Sequence, residues 1–248
     1  MRSAFLIAAI FSAFFFSSCK KSSEDFTTAP ISDYFPLLAG KYITYNLDST
    51  VVYQNFGTSI TVKHYQVKYA VDALITDNLG RPAYRIIRYI RNTPVDPWAP
   101  DNTFMAVPTA NAMEFIENNF RFLKMKTPIK EGYSWKGNSY IDTYSLNSTV
   151  KYFDNWDYTY DSLNFPAKIG AITIDSTIKV SQRNEVIGNP SNPNSYSEIN
   201  IGEEKYAKGI GLIYRKFLHL EYQPPTPGHP GAYADASYGV TITMIDHN

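Results

Sequence analysis

The residues able to do covalent or metal chemistry are few and scattered. His64, His219, His229 and His247 show no metal-ligand spacing, and no His-Glu-x-x-His motif or second cysteine accompanies them. Structural or solvated histidines are what such isolation predicts. Ser176-Thr177-Ile178-Lys179 spells a Ser-x-x-Lys acyl-enzyme motif, whose chemistry needs the two side chains one helical turn apart. Here they lie in a β-branched run, and an extended chain sends residues three apart to opposite faces. Asp154, Asp157 and Asp161 could surround calcium, but they lack the Asp/Asn alternation and turn glycine of an EF-hand, so a solvated face is expected. Gly209-Ile210-Gly211 lacks the third glycine of a dinucleotide loop and runs into a predicted strand, which makes it a tight turn. The facing carboxylates of a glycosidase are a three-dimensional property, and the sequence nominates no pair. We therefore expect no catalytic residue, no metal ligand and no cofactor, and the reading leans against an enzyme.

The only cysteine is placed differently. Arg2, an apolar run from Ala4 to Phe16, and the small residues Ser17-Ser18 precede Cys19 in the layout of a secretory signal. The run is shorter than the roughly 20 residues of a spanning helix. A lone cysteine forms no intramolecular disulfide. Phe16-Ser17-Ser18-Cys19 resembles the lipobox of bacterial lipoproteins, with an aromatic residue in place of the more usual leucine, as in Bacteroidetes-type members. The resemblance implies cleavage before Cys19, a diacylglyceryl group on its sulfur and a further acyl chain, such as palmitate, on its amine. Each buried methylene contributes about 0.8 kcal/mol, so two or more chains anchor stably where one does not. The expected organisation is a signal peptide over 1–18, a lipidated tether over 19–30 and one domain over 31–248, held at the cell envelope, in the outer membrane. Glu24 and Asp25 weakly match a surface-display signal, and two lysines precede them, so the facing of the anchor stays open.

The elements behind the tether read as β-structure. The chain has 248 residues, 44% of them hydrophobic, with 20 tyrosines and 15 phenylalanines, which is enough apolar and aromatic material for a strand-built core. Its 23 basic and 23 acidic residues cancel, which disfavours nucleic-acid binding. Ile60–Val71 alternates imperfectly, as a bulge would produce. After the turn Asp77-Asn78-Leu79-Gly80, Ala83–Arg91 forms the return strand of a long hairpin. Met113–Ile116 and Phe120–Met125 flank Asn118-Asn119, residues that tolerate positive φ, and this favours a second hairpin over a helix across 110–125. Further strands are predicted over 157–163, 171–182, 197–207, 212–222 and 240–245. Long Pro/Asn/Gly loops are predicted over 189–195 and 224–239. No sustained 3.6-residue pattern occurs. The expected class is all-β and antiparallel, with long hairpins forming a curved sheet, half-barrel or sandwich-like single domain.

Phe35-Pro36-Leu37-Leu38-Ala39-Gly40, Thr127-Pro128-Ile129-Lys130-Glu131-Gly132 and Phe165-Pro166-Ala167-Lys168-Ile169-Gly170 share Pro-x-x-x-Gly, read as a recurrent entry into the strand behind it. The first of these, continued through Tyr45, together with Tyr206-Ala207-Lys208-Gly209-Ile210-Gly211-Leu212-Ile213-Tyr214, resembles uncharacterised Bacteroidetes-type lipoproteins, a family without assigned catalytic residues. Softer signals are Trp98 in a proline-flanked loop and the aromatic pair Trp156 and Tyr158, suited to stacking on a sugar or partner protein, or to plain packing. Ser49, Ser162 and Ser176 follow aspartates in a pattern resembling an O-glycosylation sequon of exported Bacteroidetes proteins. The leading expectation is a lipid-anchored envelope protein with a non-catalytic binding or structural role. The alternatives are a carrier of an apolar ligand in a curved-sheet cavity and a glycan-binding or glycan-processing surface protein. Its partners would be the membrane through Cys19 and a glycan, a lipid or a protein.

Overall fold

The computed structural model describes residues 28–53 and 59–248. Cys19 and the tether as far as residue 27 lie outside the described residues. The chain forms thirteen strands: β1 Tyr42–Val52, β2 Ile60–Thr76, β3 Pro82–Arg91, β4 Ala99–Pro108, β5 Ala112–Glu117, β6 Phe120–Lys126, β7 Ser134–Lys136, β8 Asp157–Ile169, β9 Ile172–Gly188, β10 Ser197–Ala207, β11 Gly211–Gln223, β12 Ala232–Tyr233 and β13 Tyr238–His247. Only two 3-10 turns, Ile31–Asp33 and Lys151–Phe153, accompany them among the described residues. Among those residues no helix is long and apolar enough to cross a membrane.

The strands make one antiparallel sheet in the order β6-β5-β4-β3-β2-β1-β13-β11-β10-β9-β8-β7, with β12 paired to β11. Most neighbours are consecutive in sequence because hairpins build the sheet. The sheet curls until its ends meet. Leu123 N–H of β6 donates to Gly137 O just beyond β7 at 2.8 Å, and the Trp135 indole donates to Leu123 O at 2.7 Å. On the same seam the Tyr160 hydroxyl of β8 bonds both backbone groups of Lys126. The result is a nearly closed barrel, which leaves little edge for another chain to pair with.

Local sequence explains the hairpins. Asn118 and Asn119 have φ of 50° and 65°, the left-handed pair of a tight two-residue turn. Gly40, Gly132 and Gly170 all have positive φ, and one residue separates each from the next strand; the first two segments enter β1 and β7 from a loop as expected, whereas Pro166–Ile169 lie within β8 and Gly170 makes the turn into β9. The register of β1 on β2 runs without a break. The bulge expected within Ile60–Val71 falls instead just past it, at Asp72, which is left over between the pairs Val71–Ile86 and Ala73–Arg85. Phe165–Ile169, read as a loop, continues β8. Strand β4, and the two-residue β12 inside the predicted loop 224–239, are additions to the reading from sequence, which gave β1 and β7 only as unbounded strands behind Gly40 and Gly132.

The lumen is filled with rings. Phe104, Phe115, Phe122, Trp135, Phe153, Trp156, Tyr158, Tyr160, Tyr206 and Phe217 belong to one buried cluster. A second cluster surrounds Tyr45, Val67, Ile213, Ile242 and Met244. The segment ahead of β1 closes one end of the barrel. Ile31 and Tyr34 are buried, Phe35 packs on Phe115 and Tyr206, and Gly209 N–H donates to Asp33 O at 2.7 Å.

Candidate functional site

The groups with the strongest chemical potential sit inside the barrel. Glu117 of β5, Lys124 of β6, Glu204 of β10 and Arg215 of β11 converge, although β5 and β6 lie far from β10 and β11 in the sheet order. Their ion pairs therefore cross the lumen. Lys124 Nζ lies 2.6 Å from Glu204 Oε1 and 4.0 Å from Glu117 Oε1. Arg215 holds Glu117 with both terminal nitrogens, at 2.8 and 2.7 Å, and its Nε lies 3.6 Å from Glu204 Oε1. The Tyr206 hydroxyl donates to Glu204 Oε2 at 2.7 Å. Lys124 is 4% exposed and Glu204 0%.

Two cations meet two carboxylates, so the charges cancel. Burial pushes the Glu117 carboxyl up, but Arg215, Lys124 and Arg88 outweigh it and bring its pKa down to about 2. Burial opposes the charge on Arg215, and Glu117 and Glu204 more than restore it. The hydroxyls of Tyr45, Tyr158 and Tyr206 are pushed up, chiefly by burial, and stay protonated. The set pairs each carboxylate with a cation, and Glu117, with its pKa depressed, does not suit the role of the protonated general acid that glycosidase chemistry requires.

Little space remains beside it. A cavity of ≈ 70 Å³ on one side is bounded by Phe35, Tyr45, Tyr69 and Phe115, with Lys124 and Glu204 among its walls. Another of ≈ 90 Å³ on the other side is bounded by Arg88, Phe104, Glu117 and Phe153. Both touch Tyr69 and Arg215, which form the partition between them.

A polar cluster lies farther along the barrel. Asn200 Nδ2 donates to Glu198 Oε1 at 2.7 Å, leaving its Oδ1 to accept from His219 Nδ1 at 2.8 Å. The Tyr152 ring stacks on the imidazole at 3.9 Å. Burial lowers the His219 pKa against the pull of Glu198, so the ring is neutral near pH 7. Among the described residues no group of three or more His, Cys, Asp or Glu side chains is placed to hold a metal ion.

The residues singled out in the sequence do not gather. Trp156 and Tyr158 are 2% and 1% exposed, so they are core residues out of a surface ligand's reach. The Trp156 indole donates to Tyr152 O, and the Tyr158 hydroxyl donates to Asn138 Oδ1. Trp98 is half-buried rather than free in a loop, with the Arg91 guanidinium 4.2 Å and Lys68 Nζ 5.1 Å from its ring centre. Cationic neighbours thus already lie against the ring, which agrees with the plain packing that was the alternative to stacking on a sugar or a partner protein. Ser49 and Ser162 are half-buried in β1 and β8, whereas Ser176 is exposed in β9 at φ 56°. Ser176 and Lys179 lie on one strand without a helical turn between them, so the Ser-x-x-Lys spelling is accidental. The lumen quartet was missed altogether, because a charged residue at alternate positions of a strand reads as a solvent-facing one.

The outer surface carries the larger concavity. Because Glu204 and Arg215 point inward, their neighbours Glu203, Tyr214 and Lys216 point out, and with side chains of β8 and β9 they line a groove of ≈ 690 Å³. Compared with known proteins, the chain matches no family profile, no curated protein and no solved structure.

Proposed function

We propose that the protein is a lipid-anchored cell-envelope protein, held at the outer membrane through Cys19, whose barrel is a rigid, non-catalytic binding body. The observation carrying this reading is the filled lumen, with its rings interlocked and its four buried charges mutually neutralised. A reactive site needs an unpaired or mis-tuned group, and a carrier of an apolar ligand needs a cavity of about 300 Å³ or more. The spaces beside the quartet, ≈ 70 and ≈ 90 Å³, fall well short, while a recess of ≈ 510 Å³ lies between the 31–38 segment and Tyr84, Met113 and Thr127; we favour ligand contact outside the lumen over cargo inside. The packed 31–40 segment gives the tether a fixed point of departure at one end of the barrel, which suits a domain held at a membrane. The Bacteroidetes-type resemblance of the signal and of the domain's first and last motifs supports the same location.

The test is metabolic labelling with a fatty acid, followed by fractionation of wild type and Cys19→Ser. Label and membrane retention should both disappear in the variant while the domain stays folded by circular dichroism. Unchanged membrane association without a label would overturn the anchor. Turnover of ester, peptide or glycoside substrates, lost on changing one carboxylate or histidine, would overturn the non-catalytic role.

A further inference from the structure

The two mouths of the barrel differ. One is ringed by the segment ahead of β1 and by the turns β2–β3, β4–β5, β6–β7, β8–β9 and β10–β11. The recess of ≈ 510 Å³ opens at this mouth, lined chiefly by Phe35, Leu37, Tyr84, Pro108 and Met113. Pro30 and Ile31 belong to its wall, so the tether leaves from the same place. The threonine hydroxyls of the wall are committed, Thr109 Oγ1 to Ala112 O at 3.0 Å and Thr127 Oγ1 to Asn111 O at 3.4 Å. Hydrocarbon suits such a wall better than a polar ligand, which would lose its water there without gaining partners.

Exposed leucines accompany the recess. Leu38, on its wall, is 67% exposed; Leu74, near the end of β2, and Leu79, in the β2–β3 turn, are 63% and 69% exposed. Gly40 N–H donates to Val71 O and Val71 N–H to Lys41 O, both at 2.8 Å, which sets Leu38 beside the last residues of β2. Leu74 pairs with the wall residue Tyr84, so the two side chains share one face. Apolar exposure alone does not choose an end, because Val95 and Leu146 at the other mouth are 92% exposed. Charge and tether length do. Connections at the tether end carry Lys41, Arg81, Lys130 and Lys208 against Asp33, Asp77 and Glu131, and Lys126 and Lys168 stand at the ends of adjoining strands. Connections at the far end carry Lys151 against Asp96, Asp142, Asp154 and Asp235. From Cys19 to Ala29 the chain reaches at most about 35 Å. Strand β9, 17 residues long and tilted as barrel strands are, spans about 40 Å of the axis, so the tether is too short to turn the far mouth onto its own membrane.

We propose that the tether-end mouth docks on the bilayer that holds Cys19, with Leu38, Leu74 and Leu79 among the lipids, the surrounding lysines on anionic headgroups and a lipid acyl chain entering the recess. Apolar side chains of interfacial elements sink about 5–10 Å, to the boundary between headgroups and acyl chains, and basic neighbours are drawn to anionic lipids. The proposal rests on the lipidation of Cys19 and adds an orientation to it. The barrel stands on its tether end, and the acidic mouth faces away from the membrane.

Lipidated full-length protein would be reconstituted into vesicles of phosphatidylethanolamine and phosphatidylglycerol, with added phosphatidylcholine carrying a doxyl quencher on its acyl chain. Cys19, the only cysteine, is taken up by the lipid, so Leu38→Cys, Leu79→Cys and, at the far mouth, Val95→Cys each offer a single thiol for a fluorophore. The doxyl group should dim the label about twofold or more at positions 38 and 79 and leave it unchanged at position 95. Added salt, or phosphatidylcholine in place of phosphatidylglycerol, should reduce the quenching, and so should Leu74→Ser with the label at position 79. No quenching at either position, or equal quenching at position 95, in protein that remains vesicle-bound would overturn the docking and leave the anchor standing. Protein that carries no lipid and is not retained by vesicles would remove the anchor, and the docking with it. Cross-linking of Leu79→Cys between copies, without quenching, would overturn the proposal by assigning the face to a second copy.

Discussion

Lys124→Met tests whether the cross-lumen network holds the barrel together. Methionine keeps the length and apolar stem of the lysine and deletes the charge 2.6 Å from Glu204 Oε1. Breaking a buried ion pair by removing one partner costs about 3–5 kcal/mol, because the other charge stays buried. Glu204 would keep the Tyr206 hydroxyl at 2.7 Å and Arg215 Nε at 3.6 Å, which places the loss near the lower end, about 3 kcal/mol. For a domain of this size that corresponds to a fall in Tm of about 6–12 °C. Lys124→Met combined with Glu204→Leu removes one cation and one anion and leaves the two-pronged Arg215–Glu117 pair intact. The double variant should therefore lie within about 2 kcal/mol of wild type, well short of the sum of the single losses. Thermal and urea unfolding, followed by near-ultraviolet circular dichroism of the lumen aromatics, measure all three variants. A single-variant loss below about 1 kcal/mol, or additive losses in the double, would show that the lumen charges are hydrated and energetically idle.

Acid should loosen the same network. The Glu117 carboxyl is depressed from 4.5 to about 2, so its contribution is complete above pH 4.5 and is lost as pH falls through about 2. A shift of that size is worth roughly 3 kcal/mol, and stability measured against pH should fall across that window, more shallowly in Glu117→Gln; identical slopes would refute the assignment. Gly202→Ala places a methyl group 2.5 Å from the Trp156 ring, and the overpacking should cost about 1–3 kcal/mol in urea unfolding, together with a change in tryptophan fluorescence. An unperturbed variant would mean that the β-bulge at Gln182, left over between the pairs Gly202–Arg183 and Glu203–Ser181, is not held from inside.

Networks of this kind sit awkwardly with economy of stability, since hydrophobic replacements of similar volume are often as stable. Here the charges also space the lumen. Lys124 and Glu204 hold β6 against β10 across it, and Arg215 and Glu117 hold β11 against β5. Ionic pairs demand specific partners, whereas aromatic rings pack on one another in many arrangements.

Strand identity was largely legible in the sequence because it depends on neighbours in the chain. The run Ser197–Ala207 is a strand with the bounds expected of it, and buried and half-buried residues alternate through most of its length. Asn118-Asn119 announced its turn because two adjacent residues tolerant of positive φ suffice to make one. The glycines of the Pro-x-x-x-Gly segments marked strand entries for the same local reason. Strand β4 escaped notice because prolines around Trp98 hide its pattern, and the brevity of Ser134–Lys136 left β7 without bounds. Closure was not legible at all. Whether an alternating strand shows its charged side to water or to a lumen depends on where the sheet's far end returns, and the seam from Leu123 to Gly137 decides that. Glu117, Lys124, Glu204 and Arg215 thereby became a buried quartet, and Trp156 and Tyr158 became core. Local conformation follows from each residue's own backbone preferences; which face is inside is a property of the closed sheet, set by contacts between residues far apart in the chain.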